Sequence, residues 1–162
     1  MNVPTLLATM IFTIAIPTLA HGENGNACTG LEASLADPKG DLPKSVVERI
    51  RAMARRMEML SLPAGVGCSD LRIILRRLVS GGTPGGKRLE DDKPLDIAAA
   101  QTELQQALQQ NPELKAQLDE LRSAVADDRE RMLYEAALLQ SNDLYGPRDL
   151  LLQQFNEQAK RD

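Results

Sequence analysis

At 162 residues with a formal charge of −4, the chain has the length of one domain or of two small helical subdomains. Two Phe, two Tyr and no Trp leave few rings to stack on a sugar or a base, and together with the acidic balance this argues against nucleic acid as a partner. The charge is uneven: residues 21–88 carry 11 Lys or Arg against 7 acids, and residues 89–162 carry 8 against 16. Halves of opposite sign can steer a partner or hold each other, and the second reading is preferred.

Residues 1–20 have the layout of a secretory signal. An apolar run from Leu6 to Ile16 is followed by Pro17 and by Thr18-Leu19-Ala20, a small-residue cleavage site, so the exported chain is expected to begin at His21. The run is about half of the roughly 20 residues that span a bilayer, which makes a permanent anchor the weaker reading. Residues 21–42, rich in Gly, Asn, Asp and Pro, are expected to form a flexible arm, with a short apolar patch at Leu31 and Leu35. The two cysteines, Cys28 and Cys68, are expected to pair, because an exported chain meets an oxidising compartment and neither thiol has another mate. Closing that loop contributes on the order of 4 kcal/mol in the chain-entropy account. Lipidation of Cys28 is disfavoured, since Gly25-Asn26-Ala27 lacks the large apolar residue expected three places before it.

Residues 43–79 read as a disulfide-linked helical hairpin. Val46, Val47, Ile50, Met53, Ala54, Met57 and Leu60 recur at helical spacing, with Arg49, Arg51, Arg55 and Arg56 mostly off that stripe. Leu62-Pro63-Ala64-Gly65 ends this helix, and Ser69 or Asp70 is expected to cap a second one that buries Leu71, Ile74, Leu75 and Leu78. Residues 80–94 (SGGTPGGKRLEDDKP) are dominated by glycine, proline and charge and read as a linker.

In residues 95–162, Ile97, Ala100, Leu104, Ala107 and Leu108 predict a third helix. Asn111 and Pro112 end it and start a fourth, with Asn111 as N-cap and Pro112 at the first helical position. A stripe from Leu114 through Leu118, Leu121, Val125, Met132, Ala136 and Leu139 predicts one helix to about Gln140, interrupted on its surface by Asp128 and Arg129. A last helix from Pro147 to about Gln158 carries Leu150, Leu151 and Phe155. The expectation is an all-α protein: about five amphipathic helices in two groups joined by a Gly/Pro/charge-rich linker, with one disulfide in the N-terminal half.

Leu104 to Gln117, LQQALQQNPELKAQ, resembles the end of one tetratricopeptide unit, but a single unit cannot bury its own face and no second copy follows. The small helical periplasmic chaperones of envelope-stress systems are similar in export, size and charge-rich helices. Their Leu-Thr-x-x-Gln motif is absent, so the likeness is one of class.

Constellations for catalysis are sparse. The single histidine, His21, lies far from any paired nucleophile, and acid pairs such as Asp91-Asp92 and Asp127-Asp128 are the only material for a carboxylate hydrolase. GGTPGG lacks the Gly-Lys-Ser/Thr ending of a phosphate loop. No cofactor is expected except copper: the free amine and imidazole of His21 would chelate Cu(II), and Met53 and Met57, one turn apart, would offer thioethers to Cu(I). Against this, methionines on an apolar stripe ordinarily fill core. The function expected is therefore a non-enzymatic helical adaptor or chaperone-like protein, periplasmic or secreted, that binds another envelope or secreted protein. A copper-binding protein and a small carboxylate hydrolase are the alternatives. The arginine-rich helices add peripheral contact with an anionic envelope surface as a secondary expectation, with ordinary solvated faces the plainer reading.

Overall fold

The computed structural model describes residues 27–35, 43–79 and 95–161. Among them are six α-helices: α1 (Lys44–Glu58), α2 (Cys68–Val79), α3 (Ile97–Gln110), α4 (Pro112–Ala124), α5 (Asp128–Ser141) and α6 (Tyr145–Arg161), with a 3₁₀ turn at Ala33–Leu35. The chain is all-α, as its periodicity requires. No described helix is long and apolar enough to cross a membrane. The expected signal segment, His21 and the expected linker lie outside the described residues.

Helix starts follow local chemistry. The Asp96 carboxylate accepts from the Ala99 N–H at 3.0 Å and caps α3. Asn111 ends α3, and its side chain accepts from Leu114 N–H at 3.1 Å to begin α4, with Pro112 where no N–H is needed. Asp127 accepts from both Arg129 and Glu130 N–H groups, at 2.9 and 3.0 Å, and opens α5. That cap is why the long fourth helix of the sequence reading is two helices: Val125 and Asp127 are extended, and the chain turns between them. Cys68 begins α2, which places Ser69 and Asp70 inside its first turn instead of at its cap. Likewise α6 starts at Tyr145, two residues before Pro147.

Helix α5 lies at the centre, against α2, α4 and α6, while α3 packs on α6 and α4 and α1 packs on α2. Eight of its 14 residues are buried, on all sides of the helix. Such a helix must be enclosed by others, since one polar face would otherwise turn to water. A close approach holds α3 to the start of α6: a Cβ on Gly146 would lie 2.8 Å from Glu103 Oε2 and 3.6 Å from Ala100 Cβ.

Cys28 and Cys68 form the disulfide, with Cα atoms 5.2 Å apart. It brings residues 27–35 onto α2, and the expectation of a flexible arm is corrected for that segment. Leu31 and Leu35 are buried, and Ala27 makes an antiparallel bridge to Ser61. The apolar patch was too short to announce a helix, yet two leucines beside a covalent tie suffice to bury it. A second correction concerns the end of α1. The helix stops at Glu58, so Leu60, expected on its buried stripe, is exposed, and Met59 is 86 % exposed.

One apolar core runs from Cys28, Leu31 and Leu35 through α1 and α2 to Leu133, Leu138, Leu152 and Phe155, so the two groups of helices share an interior. Charge joins them as well. Arg77, nearly buried, meets Asp149 at 3.1 Å; Arg56 pairs with Glu130 and lies 3.8 Å from Asp127; the Arg49 guanidinium donates to the Ala159 carbonyl at 3.3 Å. Each arginine comes from the basic half and each partner from the acidic half.

Candidate functional site

Two concavities open on this scaffold. The first is a groove of about 230 Å³ formed by α3, α4, α5 and α6. Leu118 and Leu139 are buried at its floor, while Leu104 and Leu108 of α3 and Leu150 and Leu151 of α6 are half-covered along its walls. Arg122 and Glu135, 3.8 Å apart, and the amides Gln101 and Gln154 add polar groups to its lining. Burial is the main influence on Glu135 and raises its pKa, against the opposing pull of Arg122 and Arg131. The groove exists because α3 is incompletely covered: of its apolar stripe only Ala100 is fully buried, and Ile97 is 49 % exposed.

The second is a cavity of about 360 Å³ where residues 60–64 face α4 and α5. Its apolar surface comes from Leu60, Pro63, Leu121 and Val125, and its polar groups include Glu120, Glu130 and Tyr134. The turn at Gly65, φ +82°, is pressed against α4, where a Cβ would meet the Gln117 side chain at 2.5 Å. Glu130 is nearly buried and pairs with the more exposed Arg56. Tyr134, one turn on, is 2 % exposed. Its phenol is pushed up to about 12, first by burial and then by the Glu130 charge, with Arg56 opposing.

The candidate residues read from sequence fare differently. Cys28 and Cys68 are joined in the disulfide. Met53 and Met57 sit in the apolar core, and His21 lies outside the described residues. Among the described residues no group of three or more His, Cys, Asp or Glu side chains is placed to hold a metal ion. Asp127 and Asp128 are engaged in structure, the first as cap and partner of Arg56, the second with Arg131. Asp91-Asp92 falls outside the described residues.

The sequence reading missed Glu130 and Tyr134. They stand four apart, hence on one face, but Asp128, Arg129, Arg131 and Glu135 surround them with charge, so nothing in the sequence marked them as buried. Asp70, in the first turn of α2, is also perturbed; burial and then the Asp143 charge raise its pKa. No family model, no curated protein and no solved structure matches the chain, so the functional reading rests on the geometry of these two concavities.

Proposed function

We propose that the chain is an exported, non-enzymatic adaptor or chaperone-like protein that receives an amphipathic helix of another envelope or secreted protein in the groove beside α3. The observation that carries this reading is the half-covered apolar stripe of α3. Leu104, Leu108, Leu150 and Leu151 still show part of their surface, and a second apolar face would bury the remainder at about 25 cal/mol per Å². A groove walled by leucines with a few polar groups suits a helix that anchors through residues at i, i+3 and i+7. Arg122 and Glu135 give that helix one charge of each sign to read, which favours register over raw affinity. The disulfide and the N-terminal signal pattern support placement in an oxidising compartment, periplasmic or extracellular. The reading does not require the two halves to move independently, since their helices share one core.

The test is site-specific photo-crosslinking in the native cell, with the reactive side chain at Leu151 in the groove or at Lys160, which is exposed. A protein adduct of one defined mass at position 151, absent at 160 and lost on adding Leu104→Glu, is the expected outcome. Identical adduct patterns at the two positions, or no adduct at 151, would remove the reading.

A further inference from the structure

The cavity between residues 60–64 and helices α4 and α5 is separate from the groove, and its chemistry is different. Two carboxylates line it, Glu120 and Glu130, and no basic side chain does. Glu130 is 7 % exposed and already balanced by Arg56, whereas Glu120 has no ion-pair partner among the described residues. The phenol of Tyr134, 98 % covered, lines the same cavity and has no hydrogen-bond partner among the described residues. Its oxygen keeps contact with the cavity space, where a ligand can hydrogen-bond it. The remaining wall is apolar: Leu60, Pro63, Leu121 and Val125. The volume is in the range of pockets that enclose small organic molecules.

We infer that this cavity is a binding site for a small organic cation, an amine with an apolar body, whose ammonium sits among Glu120, Glu130 and the Tyr134 hydroxyl while its hydrocarbon lies on Leu60, Pro63, Leu121 and Val125. Three features select that class. The carboxylates exclude an anion, because no cation inside the cavity would neutralise it. The apolar wall disfavours a bare metal ion or a fully polar polyamine. The Tyr134 hydroxyl can accept a hydrogen bond from an ammonium while staying protonated itself, as its raised pKa ensures across the neutral range. Arg56 then acts as an internal competitor: it occupies Glu130 from outside the cavity and must share that carboxylate with the ligand.

The competition supplies a test with an unusual sign. Calorimetric titration of the oxidised protein with 2-phenylethylamine, a cation at neutral pH, is compared with 2-phenylethanol and 3-phenylpropionate, which keep the ring and change the charge. The amine binds, the alcohol binds about tenfold more weakly, as loss of a charge-assisted hydrogen bond implies, and the acid does not bind. Glu120→Gln and Glu130→Gln each weaken the amine several-fold, Tyr134→Phe weakens it less, and Ala124→Phe, a change at an exposed residue on the cavity wall, blocks it. Arg56→Gln tightens binding, because Glu130 loses its protein partner; a residue with a purely structural role would not produce that gain. Far-ultraviolet circular dichroism and a denaturation midpoint confirm that each variant is folded. Equal affinity for amine and alcohol, binding unaffected by Ala124→Phe, or weaker binding in folded Arg56→Gln overturns the inference, as does the absence of binding by all three probes. Crosslinking at Leu151 is expected to persist in Ala124→Phe, so failure at one site is read separately from failure at the other.

Discussion

Helices α3 and α5 are both 14 residues long, and both draw their apolar surface mainly from alanine and leucine, yet they end in opposite environments. Helix α5 is surrounded by α2, α4 and α6 and buries Leu133, Leu138, Ala136 and Ala137 completely. Helix α3 buries one alanine fully and leaves its leucines partly exposed. The difference lies in the neighbours each helix is given: small residues at 136 and 137 let other helices approach α5 closely, whereas α3, with seven glutamine, glutamate or threonine side chains among its residues, packs mainly on α6 and α4. Stability is concentrated in α5 and unused apolar surface in α3.

The largest expected effect tests that division directly. Leu138→Ala removes a wholly buried side chain and is expected to cost about 3 kcal/mol, the middle of the range for leucine truncation in a tight core. Leu104→Ala, on the half-covered face, is expected to cost less than about 1 kcal/mol, because the site already touches water and can collapse. Urea denaturation of the two variants reads the contrast. Equal costs would mean that α3 is as integral to the fold as α5, and the groove would then be a seam in the core.

The same contrast explains which parts of the structure are legible in sequence. Where an apolar stripe meets one neighbour, periodicity reads it well: Val46, Val47, Ile50, Met53, Ala54 and Met57 of α1 are all buried, and so are Leu71, Ile74, Leu75 and Leu78 of α2. The cap at Asn111 and Pro112 was equally plain, because it depends on contacts three residues away. The division of α4 from α5 was not, since Val125 to Met132 is seven residues, two full turns, and a helical phase survives a break of that length. Nor did sequence show that Arg49, Arg56 and Arg77 bind partners more than 70 residues away. A charge off an apolar stripe looks alike whether it faces water or a carboxylate brought by the fold. Half-coverage of α3 is likewise a property of its neighbours, and Glu130 and Tyr134 lie off the stripe of Met132, Ala136 and Leu139, where a polar position looks alike whether it faces water or the interior.

An intermediate effect probes the enclosed side of α5. In Tyr145→Phe, Tyr134 is the sole tyrosine, and its absorbance titration is expected to have a midpoint near 12. In the unfolded chain a phenol ionises near 10. The folded state therefore keeps its proton over a range in which the unfolded state has lost it, so this contribution is intact below about pH 10 and is lost as pH rises towards 12. Between those values the parent should lose on the order of 2 kcal/mol more than Tyr134→Phe. A midpoint at the ordinary tyrosine value would show that water reaches the ring and that α5 is less enclosed than its burial indicates.

The smallest effect concerns Glu135, which lies on α5 but lines the groove beside α3, where the two environments meet. Burial raises its pKa, and Arg122 at 3.8 Å and Arg131 at 4.0 Å only partly offset that. A raised carboxylate pKa means that the folded state holds the proton more tightly than the unfolded one. The penalty for ionising Glu135 is then full above its folded pKa, and it disappears as pH falls to the ordinary glutamate range. Glu135→Gln removes that penalty while keeping the side chain's length, so the variant should be more stable than the parent at pH 7, by less than about 1 kcal/mol because water at the groove screens the charge. The two proteins should converge as the solution is acidified. Asp70, shifted in the same direction, is common to both and cancels in the difference. Urea midpoints measured from pH 7 down to pH 4 decide the matter. A variant less stable than the parent at pH 7 would mean that the two arginines outweigh burial, and that the groove presents a closed ion pair to its partner instead of a carboxylate held there at a cost.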